Sequence, residues 1–166
     1  MHFISNVMQW ENFSEKGVVF LKRRGNVAGD LKRRALSIVE SRNLCSCMND
    51  TKWGEFRRAM LKEMPFPPPY ILKTIFEDEC PQEKYFQKDV TWIGDWEEGF
   101  LYDEYLDTKE WFVIEWVKVR PRHLKSRGKL IEPECVDAAG KFEEILEKYS
   151  IPYEESNGVY CIYGYR

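Results

Sequence analysis

The sequence predicts an α+β fold, with a mainly antiparallel sheet packed against two or three helices in a single domain. Large apolar residues recur at spacings of three and four in residues 53–64, as on one face of a helix. Residues 111–119 are rich in β-branched and aromatic side chains, as in a buried strand. An Asn-Gly pair within residues 151–163 is typical of a tight hairpin turn. Because strand and helix patterns do not alternate strictly, antiparallel pairing is favoured.

A first helix is predicted in the basic N-terminal part of the chain. The side chain of Asp30 can accept a hydrogen bond from an amide of the first turn and so cap this helix. Its apolar face then contains Leu31, Ala35, Ile38 and Val39. We interpret the neighbouring Lys and Arg residues as a solvated face, with a nucleic-acid or membrane-surface contact as the alternative.

A second helix is predicted from a cap among residues 49–51 through Met64. It must end there, because the proline-rich residues 65–69 fix φ and lack backbone donors. We interpret this stretch as an extended connector, and an SH3-type ligand is the alternative.

Three strands are predicted in the middle of the chain, over residues 70–76, 89–93 and 111–119. Both faces of the last strand are mostly apolar, so we expect it to be central and covered on both sides. It contains Glu115, whose carboxylate must find a partner or reach water, because an unpaired buried charge is costly.

The C-terminal part is predicted to form a helix followed by a hairpin. Asp137 can cap a helix over residues 138–149. The hairpin follows over residues 151–163, where Asn157 and Gly158 can supply the positive φ angles of a two-residue turn.

Charge divides the chain into two predicted parts. Residues 1–47 hold eight Lys/Arg and four Asp/Glu, whereas residues 48–166 hold 17 and 24. This change of sign predicts a basic N-terminal extension with one helix, attached to an acidic α+β domain. The acidic domain is predicted to begin near Met48, where the sequence resembles a natural start, so we expect residues 48–166 to fold without the extension.

The cysteines and the hydropathy pattern favour a cytoplasmic protein. The five cysteines are odd in number and scattered, with one C-x-C pair at Cys45 and Cys47, so no disulfide framework is predicted. Chelation by the C-x-C pair is an alternative to ordinary free thiols. No apolar run reaches the roughly 20 residues of a membrane span, and the first residues do not resemble a secretory signal.

The sequence offers little for ordinary enzyme chemistry. There are two histidines, His2 and His123, and no glycine-rich phosphate loop. A Cys–His pair using His123 has no local nucleophile signature to support it. We therefore predict no enzyme activity and no cofactor. Two alternatives stay open: an enzyme with a carboxylate-bound Mg²⁺, and a nucleic-acid-linked regulator that uses the basic segment.

The most unusual composition lies in residues 89–115, which hold nine acids and one lysine among interleaved aromatic residues. Acids steer a protein toward a basic surface, and aromatic residues are rigid anchors in interfaces. This pattern predicts a partner-binding surface, and a charged loop over an aromatic core is the alternative. The candidate residues are Asp95, Trp96, Glu97, Glu98, Asp103, Glu104 and Asp107.

Several short motifs of residues 49–166 resemble those of a family of small, poorly characterised bacterial proteins. They are Thr51-Lys52-Trp53, Gly94-Asp95-Trp96, Ile114-Glu115-Trp116, Gly128-Lys129-Leu130-Ile131, Ile151-Pro152-Tyr153-Glu154-Glu155 and Ile162-Tyr163-Gly164-Tyr165. Residues 1–47 lie outside this resemblance.

The resemblance implies a role as an immunity protein. Such families are encoded in bacterial genomes and prophages near secreted polymorphic toxins, including LXG-type systems. We therefore expect a cytoplasmic protein whose partner is a cognate toxin with a basic surface, such as a nuclease. A membrane or nucleic-acid partner is not predicted, and the resemblance carries over no catalytic residue.

Overall fold

The computed structural model describes residues 27–97, 99–103 and 108–166 of the chain. Within these residues it contains three helices and eight short strands. In chain order they are α1 (Val27–Ser41), α2 (Asp50–Lys62), β1 (Tyr70–Thr74), β2 (Tyr102–Asp103), β3 (Thr108–Lys109), β4 (Ile114–Val119), β5 (Arg122–Lys125), β6 (Glu134–Asp137), α3 (Ala139–Lys148), β7 (Glu154–Ser156) and β8 (Val159–Tyr163). The predicted α+β fold class is therefore confirmed.

Four of the strands form an antiparallel sheet in the order β1-β4-β8-β7. Leu72 of β1 and Ile162 of β8 lie opposite Val117 on the two sides of β4. The predicted central position of this strand is confirmed. Its start differs, because Trp111–Val113 forms a 3₁₀ turn before the strand begins at Ile114.

The main core lies between one face of this sheet and the helices α2 and α3. Phe56 and Met60 of α2 and Phe142 of α3 are fully buried together with Val117 and Ile162. On the opposite face a smaller cluster joins sheet residues to Phe86, which lies in the segment after β1. Both faces of β4 are thus covered, as its apolar sequence predicts.

The ends of α2 and α3 lie within two residues of their predicted positions. The Asn49 side chain accepts a hydrogen bond of 2.9 Å from the Lys52 amide, so α2 begins directly after Asn49. The helix ends at Lys62, two residues before the predicted end at Met64. At α3 the helix begins at Ala139 and its N-cap is Ala138, so the predicted cap Asp137 lies one residue too early, although its carboxylate accepts from the Ala139 amide at 2.8 Å.

The proline-rich residues 65–69 connect α2 to β1 and are packed into the fold. Pro68 and Pro69 are buried, and their carbonyl oxygens accept hydrogen bonds from the Trp96 indole and the Arg120 amide. The carbonyl of Pro67 accepts from the Gly94 amide. The segment therefore provides acceptors that position later parts of the chain.

The predicted strand over residues 89–93 is wrong. This segment belongs to none of the strands in the described residues, and it is tied to β5 by a bond from the Leu124 amide to the Val90 carbonyl. Val90 packs against the smaller cluster, whereas residues 91–93 are exposed, so the β-branched and aromatic composition does not mark a paired strand here. The β5–β6 and β2–β3 pairs were not predicted, because their short strands lack an alternating apolar pattern.

The C-terminal hairpin is confirmed. β7 and β8 pair around Asn157 and Gly158, whose φ angles are 54° and 72°. These values match a two-residue turn in which both central residues have positive φ.

Described residues on the two sides of the predicted boundary between residues 47 and 48 are in contact. Ala35 and Val39 of α1 are buried against Ile75 and Val113. Backbone bonds also join Cys45 to Arg166 in both directions, at 2.7 and 2.9 Å. Charge counting could not reveal this, because the apolar stripe of α1, and not its basic face, sets its position.

Details of the N-terminal part also differ from the prediction. The helix α1 begins at Val27, so Asp30 lies in its first turn and is not the cap. The basic residues 22–24 lie outside the described residues. None of the helices in the described part combines the length and apolar character that a membrane crossing requires.

Candidate partner-binding surface

The base of the candidate surface is the segment that starts at Gly94. Its amide donates to the Pro67 carbonyl at 3.0 Å, and a Cβ atom at Gly94 would lie 2.2 Å from the Pro68 oxygen. The Trp96 indole donates to this same Pro68 oxygen at 2.8 Å. The chain can approach the connector this closely only because residue 94 is glycine.

Trp96 belongs to the hydrophobic core, which corrects its predicted role as a surface anchor. Its side chain is 1 % exposed, and its ring lies 4.3 Å from that of Tyr70, 4.8 Å from that of Phe100 and 5.4 Å from that of Phe56. An indole with three aromatic neighbours and a satisfied N–H is held by packing. A partner cannot reach it in this fold.

Asp95 and Glu97, on either side of Trp96, are exposed. The Tyr70 hydroxyl donates to the Asp95 carbonyl at 2.5 Å, and the Arg57 guanidinium donates to the Glu97 carbonyl at 2.6 Å. The backbone of both acidic residues is therefore fixed to the domain. Burial raises the pKa of Tyr70, so its hydroxyl remains a donor at physiological pH.

The remaining candidate residues are only partly described. Asp103 lies in β2, opposite Thr108 of β3, and its side chain is outside the described part. Glu98, Glu104 and Asp107 also lie outside the described residues. The structure therefore brings Asp95, Trp96 and Glu97 into one short segment and does not place the other four side chains.

The core holds the chain on both sides of β2 and β3. The Glu110 amide donates to the Leu101 carbonyl at 3.3 Å, and the Trp111 indole donates to the Phe100 carbonyl at 3.1 Å. Trp111 and Phe100 are both buried in the main core. The described chain before β2 and after β3 is thus attached to the core at one place.

Asp89 and Glu115, at the two ends of residues 89–115, form ion pairs within the domain. Asp89 accepts from Arg122 at 2.6 Å and from Arg120 at 3.2 Å. Glu115 accepts two bonds of 2.8 Å from Arg42 and one of 2.8 Å from Lys73. The prediction that Glu115 needs a partner is confirmed. We call the seven acids between Asp89 and Glu115 the acidic stretch: Asp95, Glu97, Glu98, Asp103, Glu104, Asp107 and Glu110.

A groove lies on the face of the sheet that is opposite to the main core. None of the described residues that line it is an activated nucleophile. Cys161 lines this groove, and burial raises the pKa of its thiol, which disfavours the reactive thiolate. The neighbouring Lys118 is paired with Glu83. In the part of the chain that the structure describes, no group of three or more His, Cys, Asp or Glu residues could hold a metal ion.

The surroundings of His123 also differ from those expected of a catalytic base. Its ring packs edge-on against Phe66 at 4.5 Å, and its Nδ1 atom is buried without a hydrogen-bond partner. Burial, with a smaller contribution from Lys125, lowers the pKa of the imidazole. The arrangement fits a neutral ring in a packed site.

This lowered pKa predicts a loss of stability in mild acid. As the pH falls through the ordinary value of 6.5, the unfolded chain binds the His123 proton before the folded chain does, so the free energy of unfolding decreases. The variant His123→Phe keeps the packing on Phe66 and cannot titrate. We expect its melting temperature to fall less than that of the wild type between about pH 7.5 and about pH 5.5. Equal decreases in the two proteins would refute this assignment.

A family model described as "Family of unknown function (DUF6678)" matches residues 35–166. The chain belongs to this family. The predicted resemblance to a poorly characterised family is confirmed to that extent, and the DUF6678 region begins inside α1, upstream of the expected start near residue 49. No curated protein and no solved structure matched the chain.

Several motif residues of the DUF6678 region have structural roles. Trp53 is buried in the main core, and the adjacent Lys52 donates to the Ser150 carbonyl at 2.8 Å. A Cβ atom at Gly164 would lie 2.1 Å from the Ile114 oxygen. Together with Gly94 and Glu115, these residues build the fold, so the motifs by themselves do not mark a functional site.

The alternation within Asp95-Trp96-Glu97 is a signal that sequence reasoning missed. An apolar residue between two acids, next to a glycine, fits a stretch with one residue inward and its neighbours outward. That reading places Trp96 in the core and both acids in solvent, as observed. No comparable pattern separates buried from exposed aromatic residues elsewhere in the segment.

Proposed function

We propose that this protein is an immunity protein that binds and neutralises a cognate bacterial toxin of the nuclease type. The observation that carries the proposal is the acidic stretch, in which seven acids and one lysine lie between Asp95 and Glu110. Around it the buried residues Trp96 and Trp111 anchor the chain to the core. The family resemblance, which implies a place beside secreted toxins, supports the same role.

The charge of the stretch suits a nuclease. Enzymes that cut nucleic acids hold phosphates with Lys and Arg residues, so their clefts are strongly positive. A negative surface on the inhibitor accelerates association with such a cleft and opposes binding to acidic partners. Inhibition then follows from steric and electrostatic occlusion of the active site, without turnover.

A fixed backbone is an advantage for this mechanism. Hydrogen bonds from Tyr70 and Arg57 hold the carbonyls of Asp95 and Glu97, while the two residues stay exposed. Acids on an ordered backbone lose less conformational entropy on binding than acids on a free coil. The ordered base therefore contributes affinity in addition to the long-range attraction.

Charge reversal at this base tests the proposal. The double variant Asp95→Lys/Glu97→Lys should associate about tenfold more slowly with its toxin at low salt, and the difference should shrink as salt is added. The binding partner in this measurement is the nuclease domain of the toxin that the proposal expects beside this gene, with kinetics followed by biolayer interferometry.

The matched control reverses two acids on α3. Glu144→Lys/Glu147→Lys makes the same change in net charge at exposed positions away from the acidic stretch. We expect this control to associate at close to the wild-type rate and to protect cells that express the toxin. Equal effects of the two double variants, or no binding by the wild type, would contradict the proposal.

A further inference from the structure

Two large apolar residues directly before the acidic stretch are exposed. Trp92 is 44 % exposed and Ile93 is 53 % exposed. The other described tryptophans, Trp53, Trp96, Trp111 and Trp116, are all buried. The exposed Trp and Ile side chains leave apolar surface in contact with water, which does not stabilise the folded chain. Adjacent exposed apolar residues of this size are typical of an interaction site.

The backbone holds these residues outward. On one side the Val90 carbonyl accepts from the Leu124 amide at 2.7 Å, and on the other the Gly94 amide donates to the Pro67 carbonyl at 3.0 Å. Trp92 and Ile93 lie between these two bonds. The backbone on both sides of the exposed pair is therefore fixed to the domain.

The Trp92 side chain is also ordered. Its ring stacks on that of Phe86, with centroids 5.9 Å apart and planes inclined by 30°. Phe86 is itself buried, and its carbonyl accepts from the Arg120 guanidinium at 2.9 Å. Arg120 is fully buried and pairs with Asp89. Because the indole rests on this packed support, it loses little rotamer entropy when a partner covers it.

We propose that Trp92 and Ile93 form the apolar anchor of the toxin interface, an inference that rests on the proposed function. The partner it fits is a protein surface with an apolar pocket for the indole, bordered by Lys or Arg residues that face Asp95 and Glu97. A central aromatic anchor beside charged residues is the usual composition of an interface hot spot. The acids set the rate of encounter, and the anchor sets the lifetime of the complex.

This division of roles gives a kinetic test. Trp92→Ala should raise the dissociation rate from the same toxin domain by about thirtyfold and leave the association rate unchanged at low and high salt. Ile93→Ala, which removes no ring contact, should raise the dissociation rate by about fivefold. The double variant Asp95→Lys/Glu97→Lys should instead change mainly the association rate.

The control removes apolar area elsewhere. Leu130 and Ile131 are exposed in the loop between β5 and β6, and Leu130→Ala/Ile131→Ala should dissociate at the wild-type rate. If wild-type protein binds and neither Trp92→Ala nor Ile93→Ala dissociates faster than this control, the anchor is refuted and the proposed function stands. If wild-type protein does not bind, both are overturned. Should Trp92→Ala lower the melting temperature, the Ile93→Ala rate decides the result.

Discussion

Replacing Glu115 with Gln should lower the free energy of unfolding by about 3 kcal/mol. The Glu115 carboxylate accepts from both Arg42 and Lys73, and the side chains of Glu115 and Lys73 are 12 % and 10 % exposed. The neutral amide of Gln keeps the shape but leaves the buried Lys73 ammonium without an opposite charge, which is costly. Arg42 is 40 % exposed and can return to water, so its contribution to the loss is smaller.

Urea unfolding followed by tryptophan fluorescence measures this effect. Glu144→Gln makes the same chemical change at a residue of α3 whose side chain is 70 % exposed, and should alter stability by less than about 0.5 kcal/mol. Adding Lys73→Met to Glu115→Gln should restore part of the stability, because it removes the uncompensated charge. If this second change lowers stability further, Lys73 is not the source of the cost.

The same carboxylate predicts a limit to acid stability. The hydrogen bond from Arg42, and then that from Lys73, lowers the pKa of Glu115 below its usual value of 4.5. The contribution of Glu115 to stability is therefore present above the unfolded pKa and is lost as the pH falls through the lower folded value. Glu115→Gln should have a flatter stability profile over this acidic range.

The second large effect is expected at Gly164. A Cβ atom there would lie 2.1 Å from the Ile114 oxygen, which belongs to the backbone of the central strand β4. Strands β1 and β8 hold β4 on both sides, so the clash cannot be relieved by a small local shift. Gly164→Ala should lower the free energy of unfolding by about 3 kcal/mol.

Gly140 provides the matched control for this substitution. It lies in α3, and a Cβ atom there would have no neighbour within 4 Å. Gly140→Ala should raise stability by up to about 1 kcal/mol, because alanine is the better helix former. The opposite signs of the two Gly→Ala changes are the expected result of denaturant unfolding. If Gly164→Ala leaves the free energy of unfolding unchanged, the backbone of β4 can shift more easily than its pairing with β1 and β8 suggests.

The immunity proposal joins two features of different origin. The acidic stretch follows from composition, and its anchored base follows from contacts of Trp96, Tyr70 and Arg57. The charge-reversal variant tests the residues expected to set the association rate, and the Trp92 and Ile93 variants test the residues expected to set the dissociation rate. The stability variants act on neither, since Glu115 and Gly164 lie in the framework of the domain.

Local rules were enough to predict much of the fold from the sequence alone. The cap at Asn49, the connector at residues 65–69 and the turn at Asn157 are properties of short segments, so each is determined by its neighbours along the chain. The central strand could also be predicted, because apolar residues on both of its faces require cover from two sides. The need for a partner at Glu115 followed from the same burial.

The partner of Glu115 and the packing of α1 were decided only in the tertiary structure. Arg42 lies 73 positions away in the sequence, and no local pattern marks it as the residue that reaches Glu115. The same holds for Trp92, which lies between Thr91 and Ile93 in a segment predicted to be a strand: it is exposed, whereas Trp96 is buried. The sequence by itself determined that residues 89–115 are acidic and aromatic. Which indole faces the core and which faces solvent depends on contacts with the connector and with Phe86, and only the folded chain brings these together.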